Sequence, residues 1–445
     1  ATRRLSDRIV SGAHKSRFTV EPEEEQQPMP SPTSVLNGRD RHHSLPAPMS
    51  PKYVGSNSRP RRMTHDMVDI FNSAPWTVEP QTSGNGGLKN AVQRAQADGT
   101  IDQVLWVGSL GMPTDSLNTS TRQAIETTLR NDYSVQPVFV KDGTLEGHYN
   151  HYCKQILWPT LHYQIPDNPK SKAYEDHSWE LYKAMNQSVA DGIVEAYQKG
   201  DTIWINDYHL FLTPKMVRDK LPDAKIGFFM HVSFPSSEVF RCLAARSQLL
   251  EGVLAADCIG FQIPEYARHF LQTCNRILAV DTTPYGVRLP NRFVSVVVDA
   301  IGIDPDTLQV SLQDTEVQRW RKLIRERWPD SHLIVGRDKL DNIKGVKQKL
   351  QAYELFLKRN PEMVDKVVLI QVCLMNKSEP ELESDVSTLV DRINSMRSNL
   401  AANQPCVFLH KDIDFTQYIA LLAEAKAFAV TSVREGMNLT CHEFI

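Results

Sequence analysis

TIWINDYHLFLTPKMVRDKLPDAKIGFFMHVSFPSSE, residues 202–238, decides the fold. Thr202–Asn206 and Ile226–Val232 are short apolar runs of strand character. Neither turns straight back. The first runs directly into the polar cluster Asn206-Asp207-Tyr208-His209, and the second into His231-Val232-Ser233-Phe234-Pro235-Ser236-Ser237-Glu238, which opens a helix. Buried strands that end in polar residues and lead into helices are the repeating unit of a parallel sheet, and the chemistry of such sheets sits at the carboxyl ends.

Further strand candidates lie on both sides: Gln103–Gly108 and Val135–Val140 before this stretch, Cys258–Phe261 and Val294–Val298 after it. Trp179–Gln198 carries an apolar stripe at Leu181, Met185, Val189 and Ile193, the spacing of a helix packed on a sheet. A second series comprises His332–Gly336, Lys366–Val372, Pro405–His410 and Ala427–Thr431, with helix candidates Val346–Arg359, Val386–Ala401 and Phe415–Ala425 between them. Two series with a break near residue 304 predict an α/β chain of two facing Rossmann-like domains, residues 66–304 and 305–445, with the ligand in the cleft between them.

Residues 1–65 stand apart. Eight of the 26 prolines fall before residue 63, beside the acidic run Glu21-Pro22-Glu23-Glu24-Glu25 and many Ser, Arg and Gln. Such a segment buries too little apolar surface to offset its ordering entropy, which predicts a disordered tail. The whole chain has 50 basic and 53 acidic residues, so a global electrostatic case for nucleic acid is absent. No apolar run approaches the ~18 residues that suggest a membrane span. Seven scattered cysteines without a C-x-x-C pair argue against a disulfide framework or a zinc ribbon and suit a reducing, cytoplasmic compartment. The start at Ala1 and the end at Ile445 suggest a piece of a longer protein.

Five motifs lie at strand ends or helix starts. Gly84-Asn85-Gly86-Gly87-Leu88 precedes a helical stretch, where glycines let the backbone approach a phosphate, or simply make a turn. Asp207 could bind sugar hydroxyls or cap the next helix. His231 could bond a sugar or be a satisfied core residue. Lys339-Leu340-Asp341-Asn342-Ile343-Lys344-Gly345 places two cations five residues apart, as a diphosphate clamp or a solvated loop. Arg434-Glu435-Gly436-Met437-Asn438-Leu439, with Glu443 one helical turn on, offers carboxylates and helix-start amides for sugar, ribose or phosphate, or only a cap.

In this order the segments resemble the trehalose-6-phosphate synthase family, retaining glycosyltransferases of GT-B-like fold. The resemblance covers about residues 66–445 and includes Tyr149–Tyr163 (YNHYCKQILWPTLHY), Gly252–Phe270 (GVLAADCIGFQIPEYARHF) and Thr431–Ile445 (TSVREGMNLTCHEFI). It implies transfer of glucose from UDP-glucose to glucose 6-phosphate without metal or cofactor, with UDP-glucose or UDP as candidate ligand. Asp207 and His231 take the family's catalytic positions. Gly86, Gly87, Lys339, Lys344, Glu435, Gly436, Met437, Asn438, Leu439 and Glu443 take the nucleotide-sugar positions, and Tyr149, Trp158 and Lys377 the acceptor positions.

Several positions depart from the catalytic pattern. Catalytic members open their core with a strand carrying Ser-Asn-Arg, and no such segment is found before Gly84, although Pro75-Trp76-Thr77-Val78 stands near it. The family's Trp-Val-Gly-Trp reads Trp106-Val107-Gly108-Ser109, and its His-Asp-Tyr-His reads Asn206-Asp207-Tyr208-His209. Lysines stand at two arginine positions, Lys339 and Lys377, and lose the bidentate fork. The donor half is better kept than the acceptor half.

This pattern resembles the catalytically degenerate regulatory subunits of the fungal trehalose synthase complex. It implies a pseudoenzyme whose partners are catalytic synthase and phosphatase subunits, with no nucleic acid and no membrane. The alternatives are an active synthase with an altered acceptor site and a non-catalytic UDP-glucose sensor. In the tail, Arg3-Arg4-Leu5-Ser6 and Arg61-Arg62-Met63-Thr64 fit a basophilic kinase pattern, and Arg41-His42-His43-Ser44-Leu45-Pro46 fits a phosphoserine motif for a 14-3-3-type adaptor. Ser6, Ser44 and Thr64 are the candidate phosphosites.

Overall fold

The computed structural model describes residues 9–12, 18–22, 76–80, 87–164, 170–374, 380–397, 399 and 402–445. Its first large sheet has nine strands, in the spatial order Val135–Val138, Val104–Ser109, Ile9–Gly12, Thr202–Asn206, Lys225–Met230, Cys258–Phe261, Arg292–Val298, Gly286–Leu289 and Asp281–Thr283. The first seven run parallel, and the last two extend the edge antiparallel. Ile9–Gly12 comes first along the chain and lies third in space. The direction of winding therefore reverses between Ile9–Gly12 and Thr202–Asn206, and ligands of open α/β sheets bind at that reversal.

The second sheet has four parallel strands in the order Cys406–Leu409, Val367–Leu374, His332–Lys339 and Ala427–Phe428. Val367–Leu374 is buried for seven of its eight residues, because helices cover both faces of the sheet. Val346, Leu350, Val386 and Ile393 pack on one face, and Val317, Ile324, Tyr418 and Ile419 on the other. This sheet reverses its winding between His332–Lys339 and Ala427–Phe428, so both domains carry their loops of interest at matching places.

The expected helix around Trp179–Gln198 spans Lys172–Ala196. Of its stripe, Met185, Val189 and Ile193 are buried, and Leu181 packs against Gly147, where an added Cβ would lie 2.0 Å from Leu181 Cδ1. The helix expected over Val386–Ala401 instead spans Pro380–Asn394. It stops where the Asn394 amide turns to the strand Cys406–Leu409, donating to Cys406 O at 3.0 Å and accepting from Cys406 N–H at 2.9 Å.

The largest difference falls in the expected tail. Ile9–Gly12 is a central strand, in register with both Val104–Val107 and Thr202–Ile205. Phe18–Pro22 pairs antiparallel with Trp76–Pro80, so residues 23–75 join two paired strands. Disorder thus does not extend through these two stretches. Four strand residues embedded in polar sequence offer no periodicity to read, and the neighbouring strands supply their register. A central strand does therefore precede Gly84, formed by Ile9-Val10-Ser11-Gly12, and it carries no Ser-Asn-Arg. Trp76–Pro80 belongs to this separate antiparallel pair and does not replace that strand. The candidate phosphosites Ser6, Ser44 and Thr64 lie outside the described residues.

Candidate functional site

The strand Thr202–Asn206 delivers Asp207 at the first reversal with φ 70° and ψ 169°, a backbone region that side chains other than glycine's rarely enter. The strain is held by its partners. Asp207 N–H donates to Phe229 O at 2.7 Å, and Asp207 Oδ1 accepts from His231 N–H at 3.2 Å. His231 ends the adjacent strand, with Nε2 3.0 Å from Asn206 Oδ1. Burial raises the Asp207 carboxyl above its ordinary value, against the pull of His231 and the backbone amides of Tyr208, His231 and Val232. Burial also lowers the His231 imidazole below its ordinary value, against the pull of Asp207.

Beside them stands Gly147–Leu157, a π-helix with its wider turn. A spacing of five puts Tyr149 and Lys154 on one face, and Trp158 starts the turn that follows. The Lys154 ammonium lies 4.2 Å from the Trp158 ring centroid and 5.3 Å from that of Tyr149, and donates to the Tyr208 hydroxyl at 3.3 Å. The sequence reading did not single out Lys154, because the usual search for a 3.6-residue period does not test this spacing.

In the second domain, Asp341 Oδ1 accepts from the N–H groups of Ile343 and Lys344 at 3.0 and 2.9 Å, which folds the loop after Lys339 into a tight turn. Gly345 closes that turn at φ 64°, and a Cβ there would lie 2.4 Å from Thr431 O. Thr431 Oγ1 donates to the carbonyls of Lys344 and Gly345, which ties this loop to the segment after Ala427–Phe428. Lys344 Nζ bonds Glu435 Oε1, so the expected diphosphate lysine already has a carboxylate partner. Asn438 donates to Glu435 Oε2 at 3.0 Å and caps Leu439–Phe444 by accepting from Thr440 N–H at 3.1 Å. Glu443 Oε2 accepts from the Tyr418 hydroxyl at 2.6 Å.

The two halves meet at Gly436, where a Cβ would lie 1.7 Å from His231 O, and at Gly87, where one would lie 2.5 Å from Leu439 Cδ1. Arg434 Nη1 donates to Glu265 Oε1 at 3.1 Å, and the Tyr266 hydroxyl donates to Glu435 O. Gly87, Leu439 and Glu443 share a cavity of about 420 Å³ with Arg94, Asp304 and Phe415. The fold thus gathers Asp207, His231, Tyr149 and Trp158 on one wall. Lys339, Lys344 and the turn Glu435-Gly436-Met437-Asn438-Leu439 stand on the other. Gly86 and Lys377 lie outside the described residues.

Two doubly wound domains with facing winding reversals place these residues where ligands of open α/β sheets bind. The family model for glycosyltransferase family 20 matches residues 52–445, and the chain belongs to that family. It is 54% identical over 399 residues to the trehalose synthase complex regulatory subunit TPS3 of Saccharomyces cerevisiae, covering 89% of this chain and 38% of that protein. It is 39% identical over 407 residues to the UDP-forming alpha,alpha-trehalose-phosphate synthase of Schizosaccharomyces pombe, covering 88% of this chain and 76% of that one. The solved N-terminal domain of Candida albicans trehalose-6-phosphate phosphatase aligns with a TM-score of 0.74 at 35% identity, covering 82% of this chain and 78% of that one. The chain thus spans well under half the length of the regulatory relative. Among the described residues no helix is long and apolar enough to cross a membrane.

Proposed function

We propose that the chain is the synthase-like region of a regulatory subunit in the trehalose-6-phosphate synthase/phosphatase complex, acting in trehalose biosynthesis without turnover of its own. The observation that carries this reading is the cleft itself. Its donor lysine, Lys344, is paired with Glu435, and the Trp158 face on its other wall is covered by the Lys154 ammonium. With no Ser-Asn-Arg segment before Gly84 and Ser109 in place of an aromatic wall, little is left to orient an acceptor phosphate. Losing one transition-state contact costs on the order of 10²–10³ in rate, and several are missing at once. The higher identity to a regulatory subunit than to a synthase supports the same reading.

In this reading the partners are catalytic synthase and phosphatase subunits, a 14-3-3-type adaptor binds through the segment around Ser44, and the compartment is the cytoplasm. All seven cysteines are free thiols, in keeping with a reducing environment. UDP or UDP-glucose is the ligand the donor half would take, weakly. The test is UDP release by the purified chain with UDP-glucose and glucose 6-phosphate, alone and with a catalytic subunit. The expected result is no release by the chain alone and altered output or half-life of the catalytic subunit. Turnover by the chain alone within about tenfold of 10 s⁻¹, an ordinary enzyme median, overturns the proposal.

A further inference from the structure

We propose that residues 63–74 form an amphipathic helix docked on the open face of the nine-stranded sheet, across the strands between Trp204 and Phe293. One face of that sheet is closed: Ile203, Ile205, Phe228, Ile259 and Val296 point into a core shared with Met185, Val217 and Phe270 of the covering helices. Side chains alternate along a strand, so the residues between them face the other way. There the register makes one row of Trp106, Ser11, Trp204, Gly227, Cys258 and Ser295. Trp204 is 38% exposed, and Phe293 and Val297, flanking Ser295 on the same face, are 45% and 44% exposed. Neither these three nor Cys258 belongs to a hydrophobic core cluster among the described residues.

The face is shaped for a close neighbour. Between Trp204 and the strand of Phe293 the row carries only Gly227, Cys258 and Ser295, and a Cβ on Gly227 would meet nothing nearer than Ile203 O at 3.9 Å. Parallel strands of a doubly wound sheet are ordinarily covered on both faces. The four strands from Thr202–Asn206 to Arg292–Val298 span about 14 Å, at ~4.8 Å per interval. A twelve-residue helix is about 18 Å long, enough to cross them.

Residues 63–74 read MTHDMVDIFNSA. Met63, Met67, Ile70, Phe71 and Ala74 recur at helical spacing, with His65, Asp66, Asp69 and Asn72 on the opposite side. Pro75 follows, and a helix ordinarily ends before a proline. The segment lies inside the stretch that the family model matches. The residue that it leads into is also in place: Trp76 packs with Trp106 against the cluster of Leu110, Ile125 and Leu129. Trp106 stands two strands from Trp204 in the same row, so the chain leading into Trp76 arrives beside the open face. Docking there buries the Met, Ile and Phe side chains against Trp204, Phe293 and Val297, and leaves the carboxylates in water.

Cys258 lies in the middle of this face and reports its cover, because a thiol reacts only where a reagent can reach it. The experiment is alkylation of the 445-residue chain with iodoacetamide, read by peptide mass spectrometry. Ile70→Asp and Phe71→Asp should each speed labelling of Cys258 at least tenfold over the unaltered chain, while Asp69→Ala, on the polar side, should not. Exposed Cys242 should label alike throughout, and buried Cys274 should stay protected wherever the fold is intact. Hydrogen exchange on the unaltered chain supplies a measurement that needs no variant: the amides of residues 67–74 should exchange at least tenfold more slowly than an unstructured peptide. Exchange at the unstructured rate overturns the inference. So does equal labelling of Cys258 in the unaltered chain and both Asp variants with Cys274 protected; a doubled mass by light scattering would then assign the face to a second copy of the chain.

Discussion

The Lys344 ammonium is bound to one oxygen of Glu435 while Asn438 holds the other, so the carboxylate bridges a lysine from one loop and an asparagine from another stretch of the second domain. Lys344 comes from the first loop of the second domain and Glu435 from the segment after its last described strand. The contact therefore spans the winding reversal, the place where ligands of open α/β sheets bind.

Breaking that pair should improve nucleotide binding. Glu435→Gln keeps the shape and removes the competing charge. UDP affinity should rise about fivefold, ~1 kcal/mol, the size of a partly exposed ion pair. Lys344→Ala should in turn cost UDP less than the ~1.5–3 kcal/mol usual for a charged hydrogen bond, because the lysine must first leave Glu435. Calorimetry with UDP and UDP-glucose separates the roles: if Glu435 instead serves the sugar hydroxyls, Gln leaves UDP unchanged and weakens UDP-glucose.

Gly436→Ala tests whether the two walls meet as tightly as the backbone indicates. A Cβ there would lie 1.7 Å from His231 O and 3.0 Å from Val232 Cα, both backbone atoms that cannot rotate away. The expected outcome is a separated contact between the domains, seen as faster proteolysis or a larger radius of gyration by X-ray scattering, with UDP affinity lowered at least tenfold. An unchanged radius with unchanged UDP binding would mean that the contact is not formed in solution.

Much of this arrangement was legible in the sequence. Thr202–Asn206 and Cys258–Phe261 are strands with the expected bounds, and Val346–Arg359 is the expected helix, because apolar runs of strand and helix length announce themselves over several residues. Asp207 and His231 were legible as a polar cluster at strand ends. Ile9–Gly12 was not, since four residues carry no period. Nor was Lys154, whose partner spacing is that of a π-helix, or the Lys344–Glu435 pair, whose members are 91 residues apart. Long-range pairing of charges depends on how the reversals face each other, and no local pattern encodes it.

The Ile9–Gly12 strand makes a direct prediction for truncation. It lies between Val104–Ser109 and Thr202–Asn206, which do not pair with each other without it. Removing residues 1–12 leaves two unpaired strand edges at the centre of the sheet, a template for association with other chains. The truncated chain should lose cooperative thermal unfolding and aggregate, whereas removing residues 1–7 should leave both unchanged. Circular dichroism and light scattering on the two truncations check this. If the shorter chain unfolds normally, another segment fills that place.

The last prediction concerns the support beneath Lys339. Lys349 Nζ and Asp338 Oδ2 lie 2.7 Å apart with side chains 4% and 2% exposed, and Gln371 donates to the same carboxylate oxygen at 3.0 Å. Gly336 makes room for this group, since a Cβ there would lie 2.6 Å from Gln371 Oε1 and 2.7 Å from Lys349 Nζ. Taking two charges out of water costs about what their attraction returns, so the pair as a whole adds little stability. Removing one member is different, because the other stays buried and uncompensated. Asp338→Ala should therefore cost about 3–5 kcal/mol, and Asp338→Leu with Lys349→Met should recover most of it. Hydrogen exchange of the Val367–Leu374 amides reports the second domain alone and avoids assuming that the whole chain unfolds in one step. Faster exchange in the single variant and near-normal exchange in the double variant is the expected pattern. Equal loss in both would mean that Asp338 and Lys349 are needed for the packing of Gln371 and the end of the His332–Lys339 strand, and not only for each other.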